Sequence, residues 1–254
     1  MKKESLKEFL DEKAEFYENK KFVGTDPIQI PHQFSKKEDI EISAFLVATI
    51  AWGNRTSIIN NGTRLMQLMD HSPSDFILNH TKSDLSRFDS FVHRTFNGED
   101  AKCFMGALQN IYRNHGGLEA LFSLNNKENR LQEAIHNFKQ VFFSVPHLAR
   151  TEKHVSDPLK NSAAKRINMY LRWMVRDSKK GVDFGLWNSL KPSQLSCPLD
   201  VHTGNVARKL GLLDRHQNDA KALEILDDAL REMDPIDPVK YDFALFGLGA
   251  FEKF

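Results

Sequence analysis

The chain has 254 residues, with 35 Lys and Arg against 34 Asp and Glu, a formal net charge of +1. With 41% hydrophobic and 27% charged residues it is an ordinary globular composition, which excludes a disordered, collagen-like or coiled-coil chain. A charge so close to zero excludes global attraction to nucleic acid, so any such binding has to come from local asymmetry.

The only two cysteines, Cys103 and Cys197, cannot supply a disulfide framework, a four-cysteine zinc site or an iron–sulfur cluster. No cofactor and no metal are expected. The N-terminus has no apolar signal core and no stretch reaches the apolar length of a membrane span, so a cytoplasmic chain without a membrane partner is expected.

Helical periodicity dominates from the start. Residues 5–20 carry Leu6, Phe9, Leu10, Ala14 and Tyr17 at helical spacing. Ser35 and Glu38 read as a capping box opening a helix that is apolar on every side (Ile42, Ala44, Phe45, Leu46, Val47, Ala48, Ile50, Ala51), with Gly53 at its end. Such a helix belongs in the middle of a fold. A further helix runs through Ile58, Leu65 and Met69, and others are predicted at 75–81, 100–114, 118–123, 128–143, 163–176, 201–212, 219–232 and 238–252. No alternating strand pattern or hairpin signal stands out. The stretch Phe91–Asp100 reads as a solvated loop with a cap at Asp100. The reading is an all-α chain of about ten helices.

Charge is uneven along it. Arg150–Lys180 has nine bases against three acids, a net of +6, and Asp214–Asp242 has four bases against nine acids, a net of −5. In the helix 163–176, Ile167, Tyr170, Leu171, Met174 and Val175 form one stripe. Lys165, Asn168, Arg172 and Arg176 fall on the other side, as either a solvated basic face or a phosphate-tracking one. The acidic segment reads as a solvated amphipathic helix. Lys165 lies in the first turn, where the helix dipole disfavours a cation, one route to a nucleophilic amine. Further on, Pro198 favours an extended approach and Asp200 is placed to N-cap the helix 201–212, closed by Gly211. That carboxylate is either a plain cap or a rigid charge at a reactive site.

These residues resemble the helix-hairpin-helix (HhH-GPD) DNA glycosylases. In that family a hairpin leads into a helix that starts with a lysine, and an aspartate motif opens the next helix. Ser162-Ala163-Ala164-Lys165-Arg166 is similar to the first element, and Pro198-Leu199-Asp200-Val201-His202, followed by Val206-Ala207-Arg208, to the second. The interval of 35 residues from Lys165 to Asp200 is closest to the archaeal 8-oxoguanine glycosylase type. The likeness is most specific over about 145–212, and weaker at Ala51-Trp52-Gly53-Asn54-Arg55 and at Phe243–Gly249. The whole chain also resembles an uncharacterised bacterial family with the same core. It departs from the pattern at the hairpin turn, where Leu159–Ala164 has no glycine. Asn161 is the residue there able to take a left-handed conformation.

The resemblance implies a single helical domain over 1–254 in two lobes with the active cleft between them. It implies a DNA base-excision glycosylase with AP lyase activity, acting as a monomer on double-stranded DNA with a damaged base such as an oxidised purine. Such a protein is expected in the cytoplasm, at the nucleoid. Lys165 would be the Schiff-base nucleophile and Asp200 its carboxylate partner. Arg166, Arg172, Arg176 and His202 would meet phosphates, and Trp52, Asn54, Arg55 and Phe246 would line the base pocket. Plainer roles stand beside these: Trp52 and Phe246 as core aromatics, Asn54-Arg55 as a helix stop, His202 as a surface histidine. A non-catalytic nucleic-acid binder of the same fold, or a helical scaffold offering its basic face to an acidic partner, are the competing readings.

Overall fold

A computed structural model describes residues 3–124 and 130–254. It is mostly helical: α1 (Lys3–Tyr17), α2 (Lys20–Val23), α3 (Lys37–Thr49), α4 (Arg55–Leu68), α5 (Pro73–Asn79), α6 (Gly98–Asn114) and α7 (Leu118–Ser123), then α8 (Gln132–Phe142), α9 (Lys165–Val175), α10 (Val201–Lys209), α11 (Ala220–Met233) and α12 (Tyr241–Gly247). Among the described residues the chain is all-α apart from one antiparallel pair, β1 (Val92–His93) and β2 (Phe96–Asn97). Two-residue strands are too short to show alternation, and Arg94 takes the turn's left-handed position with φ 54° where glycine or asparagine is the usual signal. Residues 128 and 129 of the predicted helix 128–143 lie outside the described residues. No helix among the described residues is long and apolar enough to cross a membrane.

The chain divides into two compact units. One comprises Met1–Gly24, Lys127–Glu133 and Asp157–Phe254, the other Thr25–Asn126 and Ala134–Ser156.

In the second unit α3 is buried on every side from Ile40 to Thr49, as its all-round apolar pattern requires. Phe45 meets the rings of Phe104, Phe138 and Phe142 at 5.5–5.9 Å. The expected Ser35–Glu38 box does not form: Lys36 is the N-cap and gives no side-chain cap bond. The Phe91–Asp100 stretch is also corrected. Asn97 caps α6 in a capping box with Asp100, which, far from solvated, is fully buried. There it accepts from the Asn97 N–H (3.0 Å), Thr151 Oγ1 (2.7 Å) and Arg150 Nη1 (2.7 Å).

In the first unit Leu6, Leu10 and Ala14 form the buried stripe of α1, which packs on α12. Gly247 permits that approach, since a Cβ there would fall inside the Tyr17 ring. The predicted 238–252 helix is three pieces: a 3₁₀ turn Pro238–Lys240, α12, and a π-helical turn Leu248–Glu252. α10 packs against both α12 and the π turn.

Candidate active site

The hairpin before α9 is made by a 3₁₀ turn, Pro158–Lys160, and a left-handed Asn161 with φ 63° and ψ 28°. Asparagine is among the few residues with a Cβ that adopt this conformation readily. A second left-handed residue, Ala164 (φ 45°, ψ 39°), is the N-cap of α9, an uncommon conformation for a residue with a Cβ. The Ser162 hydroxyl supports it by accepting the Ala164 N–H at 3.1 Å. The Asn161 carbonyl accepts from the Ala220 N–H at 3.4 Å, and Ser162 makes a β-bridge with Asp219. Among the described residues no group of three His, Cys, Asp or Glu could hold a metal ion.

Lys165 is the first residue of α9 and half-buried, and no acid lies in that first turn. Its Nζ lies 3.5 Å from Met169 Sδ, one turn on, and no carboxylate among the described residues is at ion-pair distance. Asp200 N-caps α10, as expected. Its Oδ1 accepts the Thr203 N–H at 3.0 Å, its backbone carbonyl accepts from Asn218 Nδ2 at 2.9 Å, and the carboxylate is half-buried. Two independent bonds thus fix the place of this charge, and Oδ2 remains available.

A further ionisable group, which the sequence did not single out, is Asp242. Asp242 is buried, paired with Arg172 through Oδ2, and its Oδ1 lies 3.7 Å from Cys197 Sγ. Burial pushes the Asp242 carboxyl up to about 6. Arg172 opposes that rise, the Asp200 charge adds to it, and Lys165 opposes it. Lys165 and Asp200, 35 positions apart, therefore both bear on one carboxyl. Cys197 shares these surroundings: burial raises its thiol, and the charges of Asp242, Asp227 and Asp200 raise it further.

The expected basic face of α9 is corrected. Arg172 and Arg176 are only 4% and 5% exposed. Arg172 reaches Asp183 (3.3 Å) and Asp242, and stacks on Phe243 at 4.3 Å. Arg176 pairs with Glu18 (2.6 Å), Asp183 (2.7 Å) and Asp237 (2.8 Å). Burial acts to lower the Arg176 guanidinium, but these carboxylates outweigh it and hold it well above its ordinary value. Neither arginine is presented to a phosphate. The acidic segment, read as solvated, supplies two of these partners, Asp237 and Asp242, so the charge runs meet each other inside the unit.

Arg166 is half-buried, and burial pushes its guanidinium down to about 10. His202 is exposed, its ring edge-on to Phe246 at 6.1 Å, and Phe246 is half-buried, meeting Phe22 at 6.3 Å and Phe251 at 6.1 Å.

Three candidates belong to the other unit. Trp52 lies in the loop after α3, half-buried, stacked on His154 at 5.9 Å with His93 edge-on at 5.1 Å. Asn54 caps α4, its carbonyl oxygen taking the Ser57 N–H at 3.1 Å, so Asn54-Arg55 opens a helix and does not stop one. Arg55 is the first residue of α4 and half-buried. Gly53 between them has φ 99°, and a Cβ there would meet Arg94 Nη1 at 2.9 Å.

No curated protein and no solved structure matches the chain. One family matches residues 26–251, a span that includes every candidate residue named above. The chain belongs to that family, DUF2400, described as a protein of unknown function.

Proposed function

We propose that this protein is a DNA base-excision glycosylase with AP lyase activity and a fold of the helix-hairpin-helix glycosylase type. The observation that carries the reading is the half-buried Lys165 amine at the start of α9, with no acid in that first turn, and the half-buried Asp200 carboxylate fixed at the start of α10 of the same unit. The left-handed Asn161 turn before Lys165 supports it.

In this reading the damaged nucleotide, such as an oxidised purine, leaves the stack of double-stranded DNA before reaction. Asp200 places a fixed negative charge beside the sugar, where positive charge develops as the glycosidic bond stretches. The neutral Lys165 amine forms a bond from Nζ to the sugar C1′. The C1′–N bond breaks, its electron pair leaving with the base, which takes up a proton. Nζ then gives up a proton, the C1′–O4′ bond breaks with O4′ taking up a proton, and the resulting Schiff base permits β-elimination, in which C2′ loses a proton and the C3′–O bond to the 3′ phosphate breaks. Arg166 and His202 are the phosphate contacts that remain once Arg172 and Arg176 are accounted for. Phe246, near the exposed His202 ring, is assigned to the base.

The scaffold reading needs an outward basic face, and the burial of Arg172 and Arg176 removes most of it. Borohydride trapping on abasic and lesion-bearing duplexes tests the proposal. A covalent protein–DNA adduct, lost in Lys165→Gln, is the expected result. No adduct across a panel of lesions overturns it, and a mobility shift without an adduct would point to the non-catalytic binder.

A further inference from the structure

The chain leaves α10 at Lys209, and by Asn218 it has returned to the start of that helix. Arg208, in the last turn of α10, gathers the returning loop. Its guanidinium donates to the Arg215 carbonyl at 2.7 Å, to the Gln217 carbonyl at 3.4 Å and to Asn218 Oδ1 at 2.5 Å. With its oxygen held there, Asn218 turns Nδ2 to the Asp200 carbonyl at 2.9 Å. Gly204 makes the room, since a Cβ in its place would lie 2.7 Å from Asn218 Oδ1 and 3.0 Å from Nδ2. The half-buried amide thus lies across the first turn of α10, on the backbone of the residue whose Oδ1 takes the Thr203 N–H.

The next two residues reach the other helix start. Asp219 bridges Ser162 backbone to backbone, and the Ala220 N–H donates to the Asn161 carbonyl at 3.4 Å. Asp219 is itself fixed, because its carboxylate caps α11 at the Ala222 N–H (3.0 Å) and pairs with Arg215 (2.8 Å). Asn161 and Ser162 shape the approach to α9. One makes the left-handed turn, and the other accepts the N–H of Ala164, the residue before Lys165. Three consecutive residues, 218–220, therefore hold both the helix start that carries Asp200 and the hairpin that carries Lys165.

We infer that Asn218 is a positioning residue of the candidate site. Its amide straps the Asp200 cap, through Asp219 and Ala220, to the Lys165 hairpin, and so sets the place of the carboxylate relative to the amine. The catalytic consequence rests on the reading of Lys165 and Asp200 as a reactive pair; the strap does not. A misplacement of about 1 Å in such a pair costs roughly 10²-fold in rate, while DNA contacts made elsewhere are untouched.

Two substitutions release the strap by different routes. Asn218→Asp keeps the size and the acceptor for Arg208 but has no donor for the Asp200 carbonyl. Gly204→Ala crowds the amide out of its place and adds helix propensity, so it should remain folded. Hydrogen exchange of the full chain, read amide by amide by NMR, should quicken about tenfold at the Thr203 N–H and at the Ala164 N–H in both variants, and stay unchanged in α3. Quickening at Thr203 without Ala164, or at neither, shows that the two ends are not joined and overturns the inference. Borohydride trapping on an abasic duplex gives the second readout. The rate at saturating DNA should fall about 10- to 100-fold, with the half-saturating DNA concentration within about twofold of the wild type. If wild-type protein gives no adduct while exchange quickens at both ends, the glycosylase reading falls and the strap stands. If adducts form and both variants trap at the wild-type rate, the positioning role falls.

Discussion

Arg172 and Asp242, seventy positions apart, form a buried ion pair between α9 and α12. The carboxyl nevertheless lies at about 6, above its ordinary 3.8, because the loss of solvation exceeds what the guanidinium returns. The fold therefore prefers Asp242 protonated. The stabilisation that goes with that preference is complete below about pH 4 and is lost as the pH rises through 6. Relative to Asp242→Asn, the wild type should lose about 3 kcal/mol of unfolding free energy between pH 4 and pH 7. Urea denaturation of both proteins across that range checks this, and parallel curves would refute it.

Asp200 does two jobs that two substitutions separate. Asparagine caps a helix as well as aspartate, so Asp200→Asn should keep stability within about 0.5 kcal/mol while trapping falls roughly 10²–10³-fold. Asp200→Ala should cost about 1 kcal/mol as well, through the lost bond to the Thr203 N–H. Equal stability losses in the two variants would show that the charge, and not the cap, holds α10.

Ala164 is left-handed immediately before the candidate nucleophile. A Cβ in that region costs about 1–2 kcal/mol, partly offset by the freedom glycine adds to the unfolded chain. Ala164→Gly should therefore stabilise by about 0.5–1 kcal/mol, and Ala164→Val should destabilise by more than 1 kcal/mol. Urea midpoints measured at equal slope decide the matter.

Asp100 is the opposite case to Asp242. Burial alone would raise its carboxyl, but the Asn97 N–H, Thr151, His154 and Arg150 together hold it below the ordinary value. Its contribution is present at neutral pH and lost as the pH falls below about 4. Asp100→Asn should cost about 1–3 kcal/mol at pH 7, through the carboxylate bonds to the Asn97 N–H and Thr151 that an amide cannot fully replace, with little from the exposed Arg150, and less at pH 3. Thermal unfolding at the two pH values reads the difference.

Much of this architecture was legible in the sequence. α7 occupies the predicted 118–123, α3 is central because it is apolar all round, and Asp200 caps α10 because nothing else at that junction can. Asn161 was legible too, as the one residue of its turn suited to a left-handed conformation. What failed was long-range. Arg172 and Arg176 occupy the polar side of an amphipathic pattern, which distinguishes solvent from a protein partner only when the partner is known. Their partners, Asp242 and Asp237, sit in an acid-rich segment where each looks like any solvated carboxylate. Asp242 was missed for the same reason. The signal that could have found it is the pairing of a +6 run with a −5 run in one chain, read as mutual neutralisation. The Ser35 box failed locally, because the helix begins one residue later than the motif requires.

The packing of α1 on α12 bears on how the protein is made. The apolar stripe of α1 leaves the ribosome more than 200 residues ahead of Tyr241–Gly247, which covers it. At roughly 5–20 residues per second that stripe waits on the order of ten seconds or more without its native cover. Through that interval the nascent chain presents a surface that a holding chaperone can occupy, and release from it becomes a step in biogenesis that the mature molecule no longer displays.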